Sequence, residues 1–384
     1  MTTTRDDSTV GFVDRTGGAV APLDLWPSII VPKAALDAEI DRLAALDAPA
    51  DGRRRSLIVH PRSEPPGLGL APGITVSLDV LLPGEETAPI RHNSSVVSFC
   101  IRGGGETVVD GATFVFGTYD VVCLPSMATY VHRNPTDAVQ VRLAYSNAAL
   151  LEKLNVHLVD EQPDPEGWVF DEEALAAAGD RPRDAGEEAE RGPNPVPELM
   201  PMGESGAMLM SYERLINPPL IESNPLHWPW AAVKAELDKL MALGEDYRGR
   251  RLFLLYNPVT GRTNGTTLSF FATMTIRPPG IVDRPHRHVA AAINYFFSGS
   301  GYSRVGGKRY EWEAGDLMLS APGWEVHHHA SNDEPVYELT VQDSPAHLAT
   351  DSLLWQEDLK RPPRLLGSHV GFDTNRSTIK RGPR

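Results

Sequence analysis

Three histidines carry the strongest chemical signal in this 384-residue chain. His286 and His288 stand two apart in a stretch that reads as strand. Strand side chains alternate faces, so both imidazoles point the same way. His327 follows the run Gly315-Asp316…Pro322-Gly323-Trp324, and a hairpin return would set it opposite the pair. Three neutral imidazoles on one side of a metal leave other coordination positions open for substrate and dioxygen, or for water. Imidazole suits iron, zinc, copper and nickel alike. A lone HxH is weak, because exposed strand histidines are common; the ordered set of HxH, glycine turn, GD and PxWxxH is far more specific. His327, His328 and His329 are consecutive, and counting from the proline favours His327 as third ligand. His329 suits a substrate-contacting or ligand-supporting role. Asn294 lies an even number of residues from both His286 and His288, so a regular strand turns it inward too. A buried amide left unpaired costs ~1–3 kcal/mol, so Asn294 bonds either to a neighbouring strand or a water, or to bound substrate. The expected metal ligands are therefore His286, His288 and His327, with His329, Asn294 and Trp324 as candidate catalytic residues.

The elements that must position these residues occur twice. PIRHNSSVVSFCIRGGGETVVDGATFVFGTYDVVCLPSMATYVHRN from residue 89 runs parallel to PHRHVAAAINYFFSGSGYSRVGGKRYEWEAGDLMLSAPGWEVHHHASN from residue 285. Arg91–His92 matches Arg287–His288, Asp120 matches Asp316 and His132 matches His329. Upstream, Leu36, Ile40 and Leu43 share one helical face, as do Val233, Leu237, Leu240 and Met241. Each helix leads through an arginine cluster (Arg53–Arg55, Arg250–Arg251) into a strand ending in proline. Short strands divided by Gly-Gly, Asp-Gly and Gly-Asp turns predict a mainly β fold: two antiparallel jelly rolls of the cupin kind (double-stranded β-helix) with short flanking helices. The expected divisions are a flexible N-terminus (1–20), an N-terminal cupin (21–157), a linker (158–205) with a short helix at Glu172–Ala178, a C-terminal cupin (206–357) and a basic tail (358–384). In the first copy Ile90 and Tyr130 stand where the second has His286 and His327. Only His92 survives of the triad, so the first copy is expected to be metal-free, with a structural or regulatory role.

Composition limits the alternatives. A net charge of −15 makes the chain a poor candidate for sequence-independent nucleic-acid binding, which needs basic surface to displace counterions. The basic run from Lys360 reads as a solvated tail. No stretch approaches the ~20 apolar residues of a membrane helix. The polar N-terminus resembles no signal peptide, which makes the cytoplasm the expected compartment. Cys100 and Cys123 sit in apolar runs and read as small buried hydrophobes, not as a disulfide or thiolate site.

With these residues placed, the chain resembles the gentisate 1,2-dioxygenase family, a bicupin group that includes 1-hydroxy-2-naphthoate and salicylate dioxygenases. The resemblance rests on Leu25-Trp26-Pro27, Tyr256-Asn257-Pro258-Val259-Thr260-Gly261, PHRH at 285–288, GSG at 299–301, Gly315–Asp316, the set Pro322, Trp324, His327 and His329, and Asp343-Ser344-Pro345. It implies Fe(II), or another divalent metal, held by three histidines, with a small aromatic substrate and O2 bound beside it and the ring opened between the hydroxyl- and carboxylate-bearing carbons. It also implies a homo-oligomer. Familiar members carry the metal in the N-terminal cupin, whereas here only the C-terminal set is complete. They also have an arginine, associated with the substrate carboxylate, where this chain has Asn294. Asparagine cannot make a charge-assisted bidentate pair. On the sequence alone, gentisate and salicylate are therefore expected to be poor substrates. The alternatives are another metal-dependent cupin enzyme (oxygenase, isomerase or lyase) or a non-catalytic small-molecule-binding cupin.

Overall fold

The computed structural model describes residues 14–18, 20–163, 197–202, 204–216, 218–244, 250–369 and 371. The helix expected at Glu172–Ala178 lies outside them. As the turn spacing predicts, the fold is mainly β. Each half pairs a six-stranded sheet with a three-stranded one. In the C-terminal half the large sheet runs, in spatial order, Ile29–Val31, Leu317–Pro322, Ala291–Ser298, Val336–Gln342, Phe271–Arg277 and Leu252–Leu254. Its partner sheet is Lys308–Glu313, Ser300–Val305 and His327–Ser331. The N-terminal half repeats this with Leu226–Trp228, Val121–Leu124, Val96–Arg102, Gln140–Ser146, Thr75–Leu81 and Arg54–Ile58. Its small sheet is Ala112–Gly117, Gly104–Val109 and Tyr130–Arg133.

The period-two alternation of these strands sorts the core from the cavity. Ile293, Tyr295 and Phe297 point to one side of their strand and join Val97, Phe99, Leu143 and Tyr145 of the other half in a single apolar cluster. The Phe297 ring lies 5.7 Å from Phe99 and 4.5 Å from Tyr119. The two large sheets thus share one core between the halves. Ala292 and Asn294, on the other side of the same strand, face the C-terminal barrel interior.

The halves also exchange their leading segments. Ile29–Val31 pairs with Leu317–Leu319 of the C-terminal sheet, and Leu226–Trp228 pairs with Val121–Cys123 of the N-terminal one. Each exchanged strand covers an edge that would otherwise present unpaired backbone groups. A helix follows each, at Lys33–Ala44 and Trp230–Ala242. Leu36, Ile40 and Leu43 of the first are buried, as is Leu237 of the second. Pro32 and Pro229, which precede them, supply no side-chain cap. The cap comes from the opposite half: Asp316 Oδ1 accepts Lys33 N–H at 2.7 Å, and Asp120 Oδ1 accepts Trp230 N–H at 2.6 Å. The repeated aspartate of the glycine-turn motif is therefore a reciprocal helix cap. Asp316→Ala and Asp120→Ala are each expected to lower stability by about 1–2 kcal/mol, the usual cost of a lost cap. Denaturant titration would show this as a lower midpoint at unchanged slope.

Candidate metal centre

Three strands build the candidate site by alternation. Thr273, Thr275 and Arg277 turn inward from one, Ala292 and Asn294 from the next, and Glu338, Thr340 and Gln342 from the third. They line a cavity of about 680 Å³, open mouth included. His286, His288, His327 and His329 stand over it. His286 and His327 face each other across an antiparallel bridge, with His286 N–H donating to His327 O at 3.1 Å and His327 N–H to His286 O at 2.9 Å. His288 is held by the short strand Arg287–His288 against Trp355 and Gln356. The three side-chain ligand atoms lie within 4.8 Å of one another.

The hydrogen bonds fix the tautomers. The backbone carbonyls of Arg284, Ala290 and Glu325 sit 3.2, 2.9 and 3.0 Å from Nδ1 of His286, His288 and His327. A carbonyl can only accept, so each Nδ1 carries the proton and each Nε2 keeps its lone pair. Among the described residues His288 Nε2 is buried with no hydrogen-bond partner. Burial pushes His286 and His288 well below the ordinary histidine range, helped by neighbouring Arg250 and His327, and holds His327 at about 4. Neutral imidazoles with converging free lone pairs, one of them orphaned, are the donor set a divalent metal requires.

The N-terminal half shows the contrast. His92 Nδ1 likewise donates to a backbone carbonyl, that of Ser94 at 2.9 Å, but its Nε2 is met by the Tyr130 hydroxyl at 2.7 Å. Tyr130 bridges to Ile90 just as His327 bridges to His286. Ile90, Val96, Cys100, Phe116, Leu124 and Tyr130 then fill the barrel interior as an apolar cluster.

The other candidate residues separate. His329 lines the cavity. Its Nδ1 is 2.7 Å from Ser303 Oγ, which also accepts Trp312 Nε1–H at 3.0 Å. The Ser303 hydroxyl hydrogen is then free to point at His329 Nδ1, leaving Nε2–H for the cavity. Asn294 is buried and lines the cavity, but its amide donates to Thr340 Oγ1 at 2.8 Å and its carbonyl oxygen accepts from Ser320 Oγ. Trp324 is not among the lining residues; its ring packs under the Arg287 guanidinium at 4.5 Å. His328 points away from the cavity. Motif reasoning passed over four groups that line the cavity. Trp355 lies against His288 at 4.5 Å and His286 at 5.8 Å. Arg277 is buried between Asp283 and Glu338. Arg250 and Arg251 lie at the cavity wall. The arginine cluster recurring before the same strand in both copies was the available signal for the last two.

Comparison with known proteins agrees with this architecture. Residues 274–378 match the AraC-like ligand binding domain family. A gentisate 1,2-dioxygenase from Streptomyces sp is 29% identical over 304 residues, covering 75% of this chain and 76% of that protein. A 5-aminosalicylate 1,2-dioxygenase from Comamonas sp is 26% identical, covering 69% of this chain and 64% of its own. The crystal structure of a salicylate 1,2-dioxygenase from Pseudaminobacter salicylatoxidans superposes with a TM-score of 0.67 at 16% identity, over 90% of this chain and 92% of that one. Fold and site together define a bicupin with one open barrel and one filled barrel. Among bicupins, the chain is similar to gentisate 1,2-dioxygenases at moderate identity over about 75% of its length. No helix of the described residues is long and apolar enough to cross a membrane.

Proposed function

We propose that this chain is a ring-cleaving dioxygenase acting with O2 on a hydroxylated aromatic acid, with Fe(II) or another divalent metal held by Nε2 of His286, His288 and His327. The observation that carries the reading is the convergence of those three nitrogens on a cavity in which His288 Nε2 has no partner among the described residues. Iron bound there would supply the redox chemistry that lets O2 react with a closed-shell aromatic ring. The chain's own residues bind and orient. Arg250 and Arg251 give the wall positive charge, and Arg250 contributes to depressing all three triad histidines. A carboxylate is therefore the fitting anionic handle. This supplies from another strand the cation that the family keeps at position 294, and it replaces the expectation that carboxylates bind poorly. Asn294 acts by holding Ser320 and Thr340 in register. His329 Nε2–H is placed to donate to a substrate oxygen, and Trp355 closes the apolar side. The cytoplasm stays an expectation of the sequence and a homo-oligomer one of the resemblance, and neither supports any part of this reading.

The deciding experiment loads the protein anaerobically with Fe(II) and follows O2 uptake with gentisate, salicylate and 5-aminosalicylate. Stoichiometric iron without uptake on any hydroxylated aromatic acid would overturn the assignment. Arg250→Met should raise KM for the carboxylate substrate about 10- to 100-fold, matching a charge-assisted hydrogen bond of about 1.5–3 kcal/mol. Steady-state kinetics should show a much smaller change in kcat.

A further inference from the structure

The two halves fill the space beside their leading helices unequally. Lys33 and Trp230 hold the same place in the repeat: each is the first residue of its helix, and each donates its N–H to the aspartate of the opposite half. Trp230 packs its indole among three rings, Phe297 at 5.1 Å, Tyr337 at 5.2 Å and Tyr119 at 6.2 Å. Matching Asp120 with Asp316 and Gly103 with Gly299 puts Gly315 where the other half has Tyr119, and Ile101 where it has Phe297. Strand register likewise puts Val141, opposite Arg102, in the place of Tyr337, opposite Ser298. On the Lys33 side a lysine, a glycine, an isoleucine and a valine therefore replace four aromatic side chains. The Lys33 stem lies over Gly315, where an added Cβ would meet it at 2.5 Å.

This exchange leaves a cleft of about 210 Å³ between the first helix and the shared core. An apolar cavity of about 150 Å³ already admits a benzene ring. Leu36, Ile40, Ile101 and Phe297 supply apolar wall, and Tyr119 and Tyr295 add two phenols. Lys33 and Arg102 stand at the mouth, each side chain about half exposed, and share a single acid, Asp37, which Arg102 Nη2 reaches at 3.0 Å. The mouth thus carries one positive charge in excess. Tyr295 is 7% exposed, and its hydroxyl makes no hydrogen bond among the described residues. Burial, Tyr119 and Asp37 push this phenol above its ordinary range, so it keeps its proton and can donate.

We propose that this cleft binds a small planar aromatic carboxylate, its ring in the space that Trp230 fills in the other half and its carboxylate at Lys33, Arg102 and the Tyr295 hydroxyl. The Phe297, Tyr119 and Tyr295 rings favour an aromatic body over an aliphatic chain, and one excess cation calls for one negative charge. The strand Ala291–Ser298 turns Asn294 to the three-histidine cavity and Tyr295 and Phe297 to this cleft. The two sites are therefore separate, and the cleft neither depends on nor tests the proposed ring cleavage.

The test is calorimetric titration of the full chain, in a His286→Ala/His288→Ala background that removes the metal ligands, with benzoate and separately with benzyl alcohol. Benzoate is expected to bind a saturable site and to raise Tm as its concentration rises. Lys33→Trp, which copies the tryptophan of the other half, should fill the cleft and weaken this binding more than about tenfold. Benzoate entering the histidine cavity would be untouched by that change, so the difference between the two titrations reports the cleft alone. Arg102→Gln should weaken benzoate about two- to fivefold, the scale of a part-exposed ion pair, and leave benzyl alcohol unchanged. The glutamine variant decides the matter should the tryptophan variant not fold. No saturable benzoate binding, equal affinity in parent and Lys33→Trp, equal affinity in parent and Arg102→Gln, or benzyl alcohol binding as tightly as benzoate would each overturn the proposal.

Discussion

His288→Ala is expected to yield a folded protein with no bound metal and no O2 uptake. The residue is 1% exposed, its Nδ1–H is fixed by the Ala290 carbonyl, and its Nε2 has no partner among the described residues. Deleting it removes one of three converging donors; the other polar groups of the cavity are cations, amides, hydroxyls, two acids already bound to Arg277, and His329, whose Nδ1 is held by Ser303 so that Nε2 carries the proton. The loss should exceed the 10- to 100-fold typical of removing a group that merely supports a ligand. His286→Ala should behave the same way. His92→Ala, at the equivalent position of the first half, should keep full metal and activity, since His92 Nε2 is already bound to Tyr130. Metal analysis of anaerobically purified variants, alongside an oxygen electrode, checks all three. Full metal occupancy in the His286→Ala/His288→Ala protein would refute the ligand assignment.

The largest expected effect on stability comes from Arg277→Met. Arg277 Nη2 donates to Glu338 at 2.7 Å, and Nη1 pairs with Asp283, with both acids largely shielded from solvent. Burial alone would lower the Arg277 pKa, but the two carboxylates raise it, so the guanidinium stays charged. Methionine in its place leaves two carboxylates without their cation at the base of the cavity. Breaking a buried pair in this way costs about 3–5 kcal/mol, whereas removing an exposed pair such as Lys234–Asp238 costs about 1 kcal/mol or less. Chemical denaturation of the metal-free protein separates the two outcomes. A loss of under about 1 kcal/mol in Arg277→Met would show that the triad contributes nothing beyond an exposed pair.

The sequence by itself determined the features that depend on spacing within one strand or helix. The HxH pair, the inward parity of Asn294 and the apolar faces of the two helices follow from periods of 2 and 3.6 residues, and the structure keeps that parity. Internal repetition carried the fold class, because the glycine turns and the GD dipeptide recur in the same order in both copies. The replacement of His286 and His327 by Ile90 and Tyr130 was likewise legible from alignment of the two copies. The tertiary structure alone decided what depends on partners distant in the chain. Asp120 and Asp316 were visible as matched residues, but only the exchanged strands bring each to the first helical N–H of the opposite half, more than a hundred residues away. Arg250 is 36 residues before His286, and Glu338 is 61 after Arg277; sheet register brings them to one cavity. Trp324, bound by motif to the histidines, turns instead to Arg287, since a residue's place in a motif does not fix which way its side chain points. Local periodicity is a property of the backbone and can be read from the chain, whereas the choice of neighbour across a sheet is set by the summed packing of both halves.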